Sequence, residues 1–248
     1  MAENVKSGPV PSSSVLGFFI ENPLLSPVRL AAWSVLTKIL ARKDLAIVAV
    51  DHVPERASTY ELIRQTRQET SMVLLDSEAF SICAQVRATA KVPGDIAEVG
   101  VYRGGSGRLI CEEKGGRALH LFDTFDGLPP ATEWDPKFRE GGFASSLEQV
   151  QGYLQRFPGV QFHKGLFPES ARGLEDLRFS FVHLDVDLYQ STLSGLEWFY
   201  PRMSRGAVLI SHDYTIAKGV RKAFDEFFAD KPECLIELSG SQVAFVKL

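Results

Sequence analysis

The chain has 248 residues, of which 45% are hydrophobic and 23% are charged, and this composition is ordinary for a globular protein with one well-buried domain. A formal net charge of −4, with no run rich in lysine and arginine, argues against a nucleic-acid partner. Three widely spaced cysteines without a CxxC pair indicate reduced thiols in the core of a cytoplasmic protein.

The first third of the chain predicts a tail followed by helices. Residues 1–14 contain serine, proline and glycine and lack the pattern of a signal peptide, so we expect a flexible tail. Charges and prolines interrupt the apolar stretch 15–50, and this predicts no membrane span. The pattern over 15–93 is mainly helical. Within it, 28–40 is either a packing helix or a helix lying on a membrane surface, and Ser77 is the predicted N-cap of a later helix.

From residue 95 onward, apolar strands alternate with helical stretches, which is typical of a parallel sheet covered by helices. The predicted strands are 96–101, 118–123, 160–165, 179–185 and 207–213, and the predicted helices lie near 105–114, 145–157, 190–203 and 217–229. Two further apolar segments, 234–238 and 243–248, flank a Ser-Gly-Ser turn and predict a closing antiparallel hairpin. We therefore predict an α/β fold in which a doubly wound, mostly parallel, seven-stranded Rossmann-like sheet occupies residues 94–248.

A long segment rich in proline, glycine and aromatic residues, 126–145, follows the second predicted strand. Loops of this length in a compact domain are usually functional or mobile. We interpret it as a lid over a bound substrate, the alternative being a surface loop without a role.

The first predicted strand ends in a glycine-rich turn, EVGVYRGGSG (98–107). Its glycines let the backbone approach a ligand closely, and Ser106 with the following helix amides can donate hydrogen bonds to an anionic group. Glu98 lies inside the strand, where a buried carboxylate needs a cationic or donor-rich partner. The spacing differs from the dinucleotide fingerprint GxGxxG. Asp123 ends the second strand, where it can accept the ribose hydroxyls of an adenosine cofactor or cap the DTFDG turn.

Three aspartates, Asp185, Asp187 and Asp213, end two predicted strands that should be neighbours. Carboxylate oxygens at one sheet edge suit a hard divalent ion such as Mg²⁺. The histidines inside strands, His120, His163 and His183, are expected to be core residues.

The chain resembles class I S-adenosylmethionine-dependent methyltransferases, and among them the macrocin O-methyltransferase family of enzymes that methylate sugars of natural products. The similar segments are EVGVYRGGSG, FDTFDGLP, KGLFPES, HLDVDLYQSTLSGLEWFYPRMSRGAVLISHDY and KGVRKAFDEFF, over roughly 95–230. The resemblance implies that S-adenosylmethionine is held by Glu98, Gly100, Tyr102, Gly104, Gly105, Ser106 and Asp123, with Phe167 near the adenine.

The resemblance also implies a divalent ion, Mg²⁺ in that family, bound by Asp185 and Asp213, with Asp185 as the catalytic base. The family usually has an Asp-Asp pair where this chain has His212-Asp213. His212 could bind a softer metal ion directly, act as a base, leave its place to water, or only form hydrogen bonds within the turn. We favour an indirect role through water, because two aspartates, water molecules and substrate oxygens can already fill the six coordination positions of the ion.

Together these features predict a cytoplasmic, metal-assisted O-methyltransferase that acts on a hydroxyl of a small molecule, with a sugar of a glycosylated natural product as the expected acceptor. Residues 15–93 and the segment 126–145 would form the acceptor pocket, and we expect a homo-oligomer. A nucleotide-dependent oxidoreductase and a non-catalytic cofactor-binding protein are the alternatives.

Overall fold

The computed structural model describes Val35 and residues 54–248, and in the latter range a seven-stranded sheet forms the centre of the fold. The strands are β1 (Asp95–Val99), β2 (Leu119–Asp123), β3 (Val160–Lys164), β4 (Phe179–Leu184), β5 (Met203–Ser211), β6 (Ile236–Glu237) and β7 (Val243–Val246). Their spatial order is β3-β2-β1-β4-β5-β7-β6, and only β7 runs antiparallel to its neighbours β5 and β6. The α/β class, the mostly parallel sheet and the closing hairpin are thereby confirmed.

Helices precede the sheet and connect its strands. They are α1 (Pro54–Glu69), α2 (Asp76–Ala88), α3 (Gly105–Glu113), α4 (Leu147–Leu154), α5 (Tyr189–Phe199) and α6 (Lys218–Phe227), with short 3-10 turns at Glu169–Ala171 and Tyr200–Arg202. No helix in the described part of the chain is both long enough and apolar enough to cross a membrane.

Successive side chains of a strand point to opposite faces of the sheet, and in β1, β2 and β4 nearly all of them are buried because helices cover both faces. On one face, apolar side chains of the sheet pack with helices α1 to α4 in a cluster that includes Ile63, Ile82, Ile96, Leu109, Leu121, Leu154 and Ile210. On the other face the sheet packs with α5 and α6, in a cluster that includes Val99, Phe122, Leu184, Leu196, Phe199, Leu209 and Phe224. Helices on both faces make the sheet doubly wound, as predicted.

Three local predictions differ from the structure. Cys83 and Cys111 are buried as expected, but Cys234 is exposed. The N-cap of α2 is Leu75 and not Ser77, because the Leu75 amide donates to the carboxylate of Glu78 in the first turn (2.7 Å) and this bond replaces a serine cap. Strand β5 begins at Met203, four residues before the predicted start at 207, because Met203 pairs with Phe179 ahead of a register shift. The predicted tail 1–14 and, apart from Val35, the predicted helix 28–40 lie outside the described residues.

A chain of polar side chains crosses β1, β2 and β3. Nε2 of His120 lies 3.2 Å from Asp95, and its Nδ1 lies 3.1 Å from Nε2 of His163. Since the carboxylate only accepts, a neutral His120 donates through Nε2 and accepts from His163 through Nδ1. His120 is buried, as expected for a core histidine, and burial together with the neighbouring His120 lowers the pKa of His163 to about 4.

This histidine pair predicts a loss of stability in mild acid. An unfolded histidine has a pKa of about 6.5, so the unfolded chain binds the extra proton first as the pH falls. The stability contributed by neutral His163 is therefore present above about pH 6.5 and is lost as the pH falls towards 4. His163→Gln, which does not titrate, should show a smaller drop in urea midpoint between pH 7.5 and pH 5. An identical drop in both proteins would contradict this account.

Candidate active site

The carboxyl ends of the central parallel strands open onto a cavity of about 410 Å³. This is the edge at which open α/β sheets bind ligands, since the connecting loops separate there. Most of the residues predicted to bind the cofactor or a metal line this cavity, namely Gly100, Tyr102, Gly105, Ser106, Asp123, Phe167, Asp185, His212 and Asp213.

Two residues predicted to hold the cofactor do not line the cavity. Glu98 is fully buried within β1, where its Oε1 lies 2.9 Å from Nδ1 of His183 on β4. Burial raises the pKa of Glu98, against the effect of the nearby His183. Gly104 packs against the side chains of Val150 and Tyr153 instead of facing the cavity. Glu98 thus lies beneath the glycine-rich turn, where a Cβ atom at Gly107 would lie 3.1 Å from its Oε2.

Gly100 lets the first and fourth strands meet at the cavity. Its φ of +88° belongs to the left-handed region, and a Cβ atom there would lie 1.8 Å from the carbonyl oxygen of Asp185. The amide of Asp185 donates to Val99 O (2.9 Å), which fixes where Asp185 leaves β4. A residue with a side chain at position 100 would therefore displace Asp185 from the cavity wall.

The carboxylate of Asp123 organises the turn as well as facing the cavity. Its Oδ2 accepts the amides of Val101 (2.7 Å) and Tyr102 (2.9 Å), and its Oδ1 accepts the amide of Phe125 (2.7 Å). A carboxylate offers about four acceptor positions, so these bonds leave roughly one for a ligand. Both interpretations of Asp123, ribose acceptor and turn cap, are compatible with this arrangement.

The segment 126–145 is folded against the cavity. Its two ends pair through Leu128 and the glycines opposite it, with Leu128 N donating to Gly142 O (2.8 Å) and Gly141 N donating to Leu128 O (2.9 Å). Between them, Lys137 lines the cavity and donates to the carbonyl of Ile216 in the loop after β5 (3.1 Å).

Asp135 anchors this segment, and the sequence did not single it out. Its side chain is almost fully buried; Oδ1 accepts the amide of Tyr189 at the first turn of α5 (2.9 Å) and Oδ2 accepts the hydroxyl of Thr132 (2.6 Å). A carboxylate at a helix N-terminus satisfies an amide that has no partner within the helix. The WDP sequence around Asp135 is an ordinary turn signal, so only the tertiary contact shows this role.

At the other end of the cavity, Asp185, His212 and Asp213 form a compact cluster in which one potential ligand atom of each lies within 4.8 Å of the others. His212 follows β5, and its amide donates to Leu184 O of β4 (3.1 Å), so adjacent strands bring these residues together. Nδ1 of His212 lies 3.0 Å from Asp213 Oδ1 and 3.4 Å from Asp185 Oδ1.

The charges in this cluster are strongly coupled. Burial would lower the pKa of His212, but the carboxylates of Asp185, Asp213 and Glu78 raise it well above its ordinary value. Burial would raise the pKa of Asp213, but hydrogen bonds to His212 and Asp187 lower it. The cluster is an acidic recess that already favours positive charge.

Asp187 belongs to the same recess, although the resemblance did not assign it a role. Burial and then the charge of Asp185 raise the pKa of Asp187 to about 9. Asp187 and Asp213 both have positive φ angles, +62° and +63°. Such backbone angles are uncommon for residues other than glycine and cluster at functional sites.

Glu78 completes the surroundings of His212 from helix α2, a role that could not be predicted from the sequence. Glu78 Oε2 lies 3.1 Å from Nε2 of His212, and its side chain is 2% exposed. The contact with His212 and bonds from backbone amides lower the pKa of Glu78 to about 2, against the effect of burial. A glutamate in the first turn of a helix normally indicates helix capping, and this concealed its contact with the end of β5.

Comparisons with known proteins show which enzymes the chain is similar to. A 4'-O-methyltransferase of Streptomyces olivaceus that acts on 8-demethyl-8-(2,3-dimethoxy-alpha-L-rhamnosyl)-tetracenomycin-C is 34% identical, in a match covering 54% of this chain and 58% of that protein. Demethyldecarbamoylnovobiocin O-methyltransferase of Streptomyces niveus is 30% identical, over 56% of this chain and 59% of that protein. The chain thus matches less than two thirds of the length of these relatives.

Among solved structures, that of the O-methyltransferase NovP has a TM-score of 0.65 and 25% identity, and it covers 76% of this chain and 88% of its own. The calicheamicin methyltransferase CalS11 has the same fold at 20% identity, with a TM-score of 0.60 over 79% of this chain and 94% of its own. The family model described as macrocin-O-methyltransferase (TylF) matches residues 71–239, a range that includes every cavity residue discussed above. The chain therefore belongs to the macrocin O-methyltransferase family.

Proposed function

We propose that this protein is a cytoplasmic, S-adenosylmethionine-dependent and metal-assisted O-methyltransferase, and that its acceptor is a hydroxyl on a sugar of a glycosylated natural product. The observation that carries the proposal is that one cavity joins the glycine-rich turn and Asp123 to the acidic cluster around Asp185. A methyl donor and an acceptor oxygen need this kind of shared space, since reacting atoms must be held about 3–3.5 Å apart.

The cofactor half of the cavity fits an adenosine with a charged tail. The whole cavity, at about 410 Å³, lies in the usual range for small-molecule sites. Asp123 offers an acceptor for a ribose hydroxyl, and Phe167, stacked on Phe199 with ring centroids 5.2 Å apart, offers a rigid apolar wall for a base. Ser106 lies in the first turn of α3, where helix amides attract a carboxylate. S-adenosylmethionine, when bound, supplies the electrophilic methyl group.

The acidic half of the cavity fits a divalent ion. Nδ1 of His212 lies 3.0 and 3.4 Å from carboxylate oxygens of Asp213 and Asp185, and carboxylate oxygens are the donors that a hard divalent ion prefers. Asp185 and Asp213 would hold the ion, with His212 beside them, and the ion when bound would lower the pKa of a hydroxyl next to it.

Asp185 is the proposed base that accepts the proton of the acceptor hydroxyl. It is the more exposed of the two carboxylates in the cluster, at 24% against 7% for Asp213, and it lies on the cavity wall. The loop residues Leu128, Lys137 and Phe138 also line the cavity, where they would help to keep water from competing with the acceptor.

The mouth of the cavity supports a bulky and partly apolar acceptor. Val73, Phe143, Leu166 and Ile216 line the cavity yet are 44–58% exposed. Exposed apolar side chains around a polar recess mark a ligand-binding surface. An acceptor with a sugar at the acidic cluster and an apolar body at this rim fits the arrangement, and the relatives named above act on molecules of that kind.

The direct test is to incubate the protein with S-adenosylmethionine and a panel of glycosides, with and without EDTA, and to analyse products by mass spectrometry. We expect a product heavier by one methylene and full loss of turnover after exhaustive chelation, with activity restored by a divalent ion. Full activity in the chelated, metal-free protein would refute metal assistance. Tight binding of NAD in place of S-adenosylmethionine would favour an oxidoreductase instead.

Asp123→Asn should weaken binding of S-adenosylhomocysteine about tenfold to a hundredfold, because a charged acceptor is lost both to the ligand and to the amides of Val101 and Tyr102. Isothermal titration calorimetry measures this change. Asp126→Asn is the matched control, since Asp126 is a neighbouring exposed aspartate that contacts Lys164. Equal affinities for both variants and the wild type would show that Asp123 only organises the turn.

A further inference from the structure

His212 lies between two sets of carboxylates, and each of its ring nitrogens faces one set. Nδ1 is directed at Asp213 and Asp185, at 3.0 and 3.4 Å, on the cavity wall. Nε2 is directed away from the cavity at Glu78, at 3.1 Å. An imidazole with both nitrogens engaged cannot rotate about its Cβ–Cγ bond without losing both contacts.

Glu78 is itself held rigidly. Its Oε1 accepts the amide (2.7 Å) and the hydroxyl (2.8 Å) of Ser241, and its Oε2 accepts the amide of Leu75 (2.7 Å). Gly240 makes room for it: φ there is +92°, and a Cβ atom would lie 2.4 Å from Glu78 Oε1. Burying a carboxylate is costly unless it is fully hydrogen-bonded, so these contacts fix Glu78 at one position.

We propose that Glu78 is a positioning residue that directs Nδ1 of His212 to serve as a direct metal ligand. The centre would then consist of two carboxylates and one imidazole, and it would select a nitrogen-accepting ion such as Co²⁺, Ni²⁺, Zn²⁺ or Fe²⁺ over Mg²⁺. This inference rests on the metal-assisted function proposed above.

The carboxylate of Glu78, on the far side of the ring, distinguishes metal binding by His212 from its other possible roles. Metal-binding histidines usually donate their other ring N–H to a carboxylate, which sets the tautomer and raises the basicity of the ligating nitrogen. A histidine that only stabilised its turn would not need a buried glutamate from another helix. A base for the acceptor would present a nitrogen to the open cavity, whereas Nδ1 faces two carboxylates. The geometry thus points to direct binding and away from the indirect role expected from the sequence.

Imidazole nitrogen is a poor donor for Mg²⁺ and a good one for later first-row ions. The prediction is therefore a difference in selectivity. In metal-free protein titrated by calorimetry, the wild type should bind Co²⁺ more tightly than Mg²⁺. His212→Asp should lower the ratio of Co²⁺ to Mg²⁺ affinity at least tenfold. Glu78→Gln should weaken Co²⁺ binding about tenfold to a hundredfold with a smaller effect on Mg²⁺.

A spectroscopic measurement tests ligation directly. Electron spin-echo modulation of bound Mn²⁺ should show coupling to a nitrogen nucleus in the wild type and none in His212→Asp. Glu61→Gln makes the same change at an exposed site on α1 and is the control for Glu78→Gln. The affinity for S-adenosylhomocysteine and the urea midpoint show whether each variant is folded. If Glu78→Gln does not fold, the Mn²⁺ spectra of the wild type and His212→Asp still show whether His212 binds the ion directly.

Absence of nitrogen coupling in the wild type, or equal Co²⁺ to Mg²⁺ affinity ratios in the wild type and His212→Asp, would overturn the inference. In that case, turnover that still disappears with EDTA and returns with Mg²⁺ would leave the proposed function intact. Full turnover without any bound ion would instead refute the proposed function, together with the inference that depends on it.

Discussion

Asp185→Asn should lower the turnover number by about a thousandfold while leaving cofactor affinity within a factor of about three. The substitution removes the proposed base, whose contribution is typically 10²–10⁴-fold, and it also removes a charged ligand from the acidic cluster. Asparagine has nearly the same shape, and the Asp185 amide bond to Val99 O does not involve the side chain, so the fold should be retained.

The measurements are single-turnover rates with saturating acceptor and calorimetry with S-adenosylhomocysteine. Asp230→Asn is a suitable control, because this aspartate is highly exposed and lies beyond helix α6. Turnover within tenfold of the wild type would show that Asp185 is neither the base nor an essential ligand, and Asp187 would then be the next residue to test. Loss of cofactor binding would mean that the two halves of the cavity are not independent.

Gly100→Ala should destabilise the fold by about 3 kcal/mol or more, which is at the upper end of the usual effect of a single substitution. Alanine is strained at a φ of +88°, and its Cβ would lie 1.8 Å from the Asp185 carbonyl oxygen, a backbone atom that cannot rotate away. Relief of this overlap requires β1 and β4 to separate at the cavity, where Gly100 N also donates to Phe122 O (2.9 Å).

Gly152→Ala is the matched control for this effect, since it makes the same chemical change at an exposed position of helix α4 where a new Cβ would contact nothing within 4 Å. Its helix should become more stable by about 0.5–1 kcal/mol. Urea denaturation of both variants should therefore give changes of opposite sign. A Gly100→Ala protein as stable as the wild type would contradict the close approach of the two strands.

The central strands and the polar residues that end them could be predicted from the sequence for a physical reason. A parallel strand buried on both faces must be a nearly continuous apolar run, so the polar residue that ends it marks the edge of the sheet, as Asp123 and Asp185 do. Glu98 shows the limit of this reasoning. An acidic residue inside such a run suggests a ligand, yet its partner is His183, which lies on the neighbouring strand and 85 positions away in the sequence.

The residues that the sequence did not reveal act through contacts between distant segments. Asp135 joins the loop after β2 to the first turn of α5, 54 positions later, and Glu78 joins α2 to the end of β5, 134 positions later. Local propensity carries no information about either pairing, because an aspartate in a turn and a glutamate in a first helical turn are each explained by their immediate neighbours.

The bonds between Glu78 and Ser241 join positions 163 residues apart, and this separation has a consequence for the time course of synthesis. At about 5–20 residues per second, the ribosome adds Ser241 roughly 8 to 33 s after Glu78. Throughout that interval Oε1 of Glu78 lacks the amide and hydroxyl of Ser241, although Leu75 is already present and His212 is added before Ser241. The carboxylate that faces His212 therefore gains its full set of hydrogen bonds only after the hairpin of β6 and β7 has been made, later than the parallel strands that form the cavity walls.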